Sequence, residues 1–231
     1  MGSRSSSGRA RKGAGAPDRG RISAALAGAR AMVLDFDGTL VDSNPIKMRG
    51  FEAVFADFPE RLPKIMAYCQ GGPETPRGQK FKHVYEVILG RALTAAARKR
   101  LEEKFAEATT EAIVRAGEIP GAGAFLRRAA KRYLTTLLST TPHDILLEII
   151  ARRGWRRYFS VVRGAPVNKA EWLRLFLVQH SLEPSEVIFF GDALEDADAA
   201  AAAKCGFIGV GAAAFAGLGL PFIKDFTGID L

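Results

Sequence analysis

The chain has 231 residues, 48% of them hydrophobic and 25% charged, the balance expected of a globular protein with a sizeable core. No apolar run approaches bilayer-spanning length, and the first apolar cluster follows a long polar, basic lead, which excludes a secretory signal pattern. The net charge of +8 is concentrated in residues 1–30, which hold seven cations against Asp18 alone, so the rest is near neutral and neither a nucleic-acid nor a membrane partner is expected.

Residues 1–20 are rich in Ser, Gly and Arg and offer little to bury, so they read as a disordered basic tail. Their start fits a myristoylation pattern, an organelle transit peptide or a vector-derived leader. A short helix over Ile22–Ala29 leads into an apolar strand, Met32–Leu34. That strand delivers Asp35 and Asp37, then Gly38, where the chain is free to turn. Two acids this close are costly unless a cation or a proton neutralises one of them. Magnesium, held by few carboxylates and completed by phosphate and water, suits such a pair, as does the plainer reading of an acidic turn.

From Asn44-Pro45 to Glu118 the pattern is helical, with segments at Met48–Phe58, Arg61–Tyr68, Phe81–Leu89 and Thr94–Val114. No strand is needed there, so residues 45–118 read as an inserted all-helical unit. Its most turn-rich stretch is Gly71 to Pro76, followed at once by Arg77 and Lys80. Helix and strand then alternate. Helices are expected at Ala122–Lys131, Ile145–Arg152, Ala170–His180 and Asp196–Lys204. Strands are expected at Tyr133–Leu138, Phe159–Val162, Val187–Phe190 and Phe207–Val210, with an edge strand at Phe222–Phe226. The alternation predicts an α/β fold: a doubly wound parallel sheet formed by residues 21–44 and 119–231. Cys69 and Cys205 have no metal-type spacing and read as free thiols of a reducing compartment, hence a cytoplasmic protein.

In such sheets, sites gather at the carboxyl ends of the strands. Three predicted strand ends carry polar residues: Asp35 and Asp37, the run Ser139-Thr140-Thr141, and Gly191-Asp192 with Asp196 beyond. Thr141, before Pro142, has the position of a helix cap. Lys169 stands at a helix start, where a cation opposes the helix dipole.

The string DFDGTLVDS resembles the nucleophile signature of the haloacid dehalogenase superfamily, and LLSTTP and GDALED are similar to its second and fourth signatures. The resemblance covers about Val33 to Val210, in the order and spacing of the helical-cap, phosphoglycolate phosphatase-like members. Only the lysine motif departs, lacking the Lys-Pro form common among them. The resemblance implies that Asp35 is the nucleophile and Asp37 the general acid and base. It also implies that Thr39, Ser139 (or Thr140) and Lys169 hold the phosphoryl group. Magnesium would sit on Asp35, the Asp37 backbone carbonyl and Asp192, and Asp196 would hold Lys169. It implies hydrolysis of a small phosphorylated metabolite by a monomer or homodimer, with the helical insertion as a cap. Arg77, with Lys80, would read an anionic group on the substrate. A phosphosugar mutase uses the same groups, and a non-catalytic binding protein on this fold is the alternative of another class.

Overall fold

The computed structural model describes residues 19–71, 75–211, 215 and 217–231. Most of the tail, and Gly72, Pro73 and Glu74 of the turn-rich stretch, lie outside the described residues.

Six parallel strands form one sheet: β1 (Ala31–Leu34), β2 (Leu134–Pro142), β3 (Val161–Ala165), β4 (Val187–Gly191), β5 (Gly206–Val210) and β6 (Phe222–Ile223). Their order is β3-β2-β1-β4-β5-β6, and Ala31 of β1 faces Leu134 on one side and Val187 on the other. The order reverses at β1 and β4, so the crevice for a ligand opens at their carboxyl ends. β1 is buried on both faces because its side chains alternate between two cores. Met32 and Leu34 join one core, with α6 (Ala122–Ala129) and α7 (His143–Arg152). Ala31 and Val33 join the other, with α8 (Lys169–His180) and α9 (Leu194–Ala202). A further helix, α1 (Arg19–Ala27), adds Ile22 and Leu26 to the first core. This is the doubly wound arrangement expected from the alternation.

Between β1 and α6 lie α2 (Asn44–Val54), α3 (Leu62–Gly71), α4 (Arg77–His83), a π-helical turn (Val84–Ile88) and α5 (Ala95–Arg115). Together they build a third apolar cluster. Phe81 sits at its centre, fully buried, with its ring edge-on to Phe51, Phe55 and Phe105 at centroid distances of 5.8, 5.9 and 6.1 Å. Phe81→Ala is expected to lower the unfolding free energy by about 3–5 kcal/mol, the cost of an unfilled aromatic site. Chemical denaturation measures this, and a loss below about 1 kcal/mol would show that the rings are not close-packed there.

The insertion leaves and rejoins the sheet unit through two adjacent connections. Asp42 N donates to Gly117 O at 3.0 Å, and Ile119 N to Leu40 O at 3.0 Å. The last carbonyls of α5 lack their full set of helical partners. Arg153, just past α7, donates from Nη1 to Ile113 O, Val114 O and Ala116 O at 2.9, 2.9 and 2.8 Å, and stacks over Trp155. A cation at a helix carboxyl terminus also complements the dipole.

Several boundaries differ from the sequence expectation, each for a local reason. Pro45 falls within the first turn of α2, where its missing N–H costs nothing, so the helix starts at the punctuation rather than after it. Phe159 does not open β3, because it closes the 3₁₀ turn Arg156–Tyr158 and its carbonyl accepts from Arg156 at 2.7 Å. The amphipathic run Phe81–Leu89 is not one α-helix. Leu89 N bonds back five residues to Val84 O, a π turn that keeps Phe81, Val84 and Ile88 buried. β6 is only two residues long. β2 runs past Ser139 as far as Pro142, with a register shift against β3 between Leu138 and Pro142.

Candidate active site

β1 carries Asp35 to the carboxyl end of the sheet, where its N–H still bonds Phe190 O of β4 at 2.9 Å. A tight turn follows, with Gly38 N donating to Val41 O at 2.8 Å. Gly38 has φ +77°, and a Cβ there would lie 2.0 Å from Asp192 Oδ2, so both backbone and space demand glycine. β4 ends in Gly191 and hands on Asp192. A Cβ at Gly191 would lie 2.3 Å from Asp196 Oδ2, so this glycine admits the Asp196 carboxylate.

Lys169 opens α8, with Asn168 as the N-cap accepting from Glu171 N. Its Nζ bonds Asp35 Oδ1 at 2.8 Å and Asp196 Oδ1 at 2.6 Å. Burial alone would depress the lysine pKa, but the two carboxylates more than offset it and the net shift is upward. Lys169 is therefore a fixed cation, and Asp196 holds it in place.

Asp35, Asp192 and Asp196 bring carboxylate oxygens within 4.8 Å of one another. Burial raises Asp35 to about 6, against the pull of Lys169 and with added repulsion from Asp196 and Asp37. Burial, then the charge of Asp35, raises Asp192 to about 7. Two acids pushed up together mark a place where positive charge is in deficit. The donor set is all oxygen, which fits a hard divalent cation. Thr39 is fully buried and points its hydroxyl at Asp192 Oδ1, 3.4 Å away, while Asn44 Nδ2 donates to Asp192 Oδ2 at 2.9 Å. Thr39 thus holds Asp192 in this structure.

The Asp37 side chain lines the same cleft but has partners of its own. Lys47 Nζ lies 2.7 Å from its Oδ2, Ser43 Oγ donates to Oδ1 at 2.6 Å, and Thr141 Oγ1 to Oδ2 at 2.7 Å. Ser139 Oγ reaches the same Oδ2 at 3.4 Å. Burial would raise the Asp37 pKa, but Lys47 and these hydroxyls outweigh it and hold it below the ordinary value. Strand alternation explains how two hydroxyls of β2 reach one carboxylate. Ser139 and Thr141 share a face, and Thr140 lies on the other and lines the cleft that Asp35 and Lys169 also line. Thr141 is therefore not the helix cap suggested by its position. The N-cap of α7 is Pro142, with no side-chain bond.

Arg77 and Lys80 line a cavity of about 640 Å³ walled by Met48 and Phe51 of α2, Phe105 of α5 and Thr140. Arg77 stacks on Phe105 at 4.5 Å, and Lys80 Nζ donates to Cys69 O at 2.8 Å. Sequence reasoning missed Ser43, Asn44 and Lys47. The signal that singled out Lys169, a cation near the start of a helix, applies equally to Lys47 in α2.

A family model for haloacid dehalogenase-like hydrolases matches residues 29–204. Phosphoglycolate phosphatase from Synechococcus elongatus is 27% identical over 174 residues, covering 74% of this chain and 78% of that protein. Among solved structures, a protein from Haemophilus somnus described as a predicted phosphoglycolate phosphatase superposes with a TM-score of 0.68 at 21% identity, covering 87% of this chain and 96% of its own. One from Thermotoga maritima described as a β-phosphoglucomutase superposes with a TM-score of 0.62 at 20% identity, covering 84% and 94%. These structures share the fold, and the family match spans β1 to β4, the insertion and every candidate site residue. The chain belongs to the haloacid dehalogenase-like hydrolases.

Proposed function

We propose that this hydrolase is a magnesium-dependent phosphatase acting on a small phosphorylated metabolite through an aspartyl-phosphate on Asp35. The observation that carries the reading is the Asp35–Lys169–Asp196 chain beside Asp192, at the sheet crevice where β1 and β4 meet. Asp35 and Asp192, with the Asp37 backbone carbonyl, would hold the ion, which when bound offsets the negative charge of nucleophile and phosphoryl group. An Asp35 oxygen attacks phosphorus and the ester oxygen leaves with a proton from Asp37. Water, giving its proton to Asp37, then attacks phosphorus, and phosphate departs from Asp35. Lys169 and Thr140 hold the phosphoryl oxygens, with Ser139 and Thr141 fixing Asp37. Residues 45–118 serve as the cap that excludes bulk water.

Phosphate release from a panel of phosphorylated metabolites, phosphoglycolate among them, tests the reading. Release that needs magnesium and stops with chelator is expected, and full release in excess chelator would overturn the metal's role. Conversion of a sugar phosphate to its isomer without release would favour a mutase instead.

The metal-free protein offers a second check, by pH. Asp35 and Asp192 bind protons more tightly folded than unfolded, so their contribution to stability is complete below the ordinary value of 3.8 and is lost as pH rises through about 6 and 7. Asp37 has the opposite sign, but its window lies below 3.8. In chelator, the melting temperature should therefore fall between pH 5 and pH 8, and Asp192→Asn should flatten that fall while raising the magnesium needed for activity. An equal fall in the variant would show that these carboxylates do not repel one another.

A further inference from the structure

The start of α2 spends its side chains on the sheet unit rather than on the helix. Ser43 stands at the N-cap and Asn44 opens the first turn, where such side chains ordinarily accept from first-turn N–H groups. Ser43 makes no capping bond and gives its hydroxyl to Asp37 at 2.6 Å. Asn44 Nδ2 donates to Asp192 Oδ2 at 2.9 Å. Lys47, about one turn further along the same side of the helix, reaches Asp37 at 2.7 Å. One turn of α2 therefore touches both the acid beside the nucleophile and the acid that would hold the ion.

The same helix belongs to the insertion. Phe51 and Val54, at its other end, join the apolar cluster there, with Phe51 edge-on to Phe81 and Phe105 at 5.8 and 5.1 Å. Asn44 comes just after the connection where Asp42 N bonds Gly117 O. Any change in how the insertion sits on the sheet unit must carry α2 with it, and with α2 the amide that holds Asp192.

Asp192 depends on that amide. Its other side-chain donor, Thr39 Oγ1, lies 3.4 Å from Oδ1, long for a hydroxyl, whereas the Asn44 bond has an ordinary length. The amide is also closely seated, since a Cβ at Gly38 would lie 2.4 Å from Asn44 Nδ2. A carboxylate that ligates a cation works best when its orientation is fixed by such partners.

We propose that Asn44 is a positioning residue that sets Asp192 for the divalent cation and couples occupancy of the metal site to the seating of α2. Linkage makes the coupling reciprocal: what the seated helix adds to cation affinity, the cation returns to the seating of the helix. Like the role of Asp192 itself, the coupling rests on the phosphatase reading.

Calorimetric titration of magnesium into chelator-stripped protein, without substrate, reads the first half. Asn44→Ala should weaken magnesium binding by about 10–100-fold, and Asn44→Gln, which keeps an amide donor, should return part of it. Both variants should unfold cooperatively in a metal-free melt, because Asn44 is exposed and lies outside the apolar clusters. Amide hydrogen exchange reads the second half. Saturating magnesium should slow exchange across Lys47–Val54 in the wild type and leave it at the metal-free rate in Asn44→Ala. Thr39→Val removes the other donor to Asp192 from outside the insertion. It should weaken magnesium binding yet keep the slowing once saturated. Unchanged magnesium affinity in Asn44→Ala would overturn the proposal, as would equal slowing in Asn44→Ala and wild type. Wild-type exchange that magnesium does not slow would overturn it with no variant needed. A wild type that binds no magnesium would instead remove the metal from the phosphatase reading, and this proposal with it.

Discussion

Asp35→Asn should abolish turnover while leaving the protein folded. An amide oxygen is a poor nucleophile, and removal of a covalent nucleophile costs on the order of 10⁴-fold or more in rate. The fold should tolerate the change for a reason visible in the site. Lys169 loses one of its two carboxylates but keeps Asp196 at 2.6 Å, so it is not left as an unpaired buried charge. The substitution also removes one of three mutually repelling acids, which favours the metal-free fold at neutral pH. Steady-state phosphate release and a thermal melt measure the two halves. Retention of a few per cent of activity would rule Asp35 out as the nucleophile.

Asp37→Asn should cost about 10²–10⁴-fold, the usual contribution of a positioned acid or base. Lys47, Ser43 and Thr141 hold Asp37 as the carboxylate in this structure, the form that takes a proton from water. An asparagine there could keep some of the hydroxyl bonds but would lose the ion pair with Lys47 and all proton transfer. The deficit should shrink with an aryl phosphate, whose leaving group needs little protonation. Equal deficits on alkyl and aryl phosphates would assign Asp37 a structural role.

Much of the site was legible because its chemistry is written locally. A strand end, two acids and a glycine stand within four residues at Asp35–Gly38, and a second strand end with its acid stands at Gly191-Asp192. Periodicity placed the parallel sheet, because a strand buried on both faces is an uninterrupted apolar run. Lys169 stood out by its place at a helix start, where a cation is locally unfavourable, together with the resemblance, which implies a lysine there.

Which groups touch which was decided only by the tertiary structure. Thr39 meets Asp192 across 153 positions because the sheet order sets β4 beside β1, and Lys169 meets Asp35 across 134 because α8 packs on the face of β1. A cation near a helix start flags Lys47 as it does Lys169, but no local pattern names Asp37 as its partner until the helix is docked. Nor does a pattern show that Thr39 turns toward Asp192, or which face of β2, that of Ser139 and Thr141 or that of Thr140, meets Asp37. Sequence determined which residues could carry reactive chemistry, because side-chain type and local backbone are short-range properties. Packing decided their partners, because burial, distance and charge compensation arise only when segments far apart in the chain are brought together.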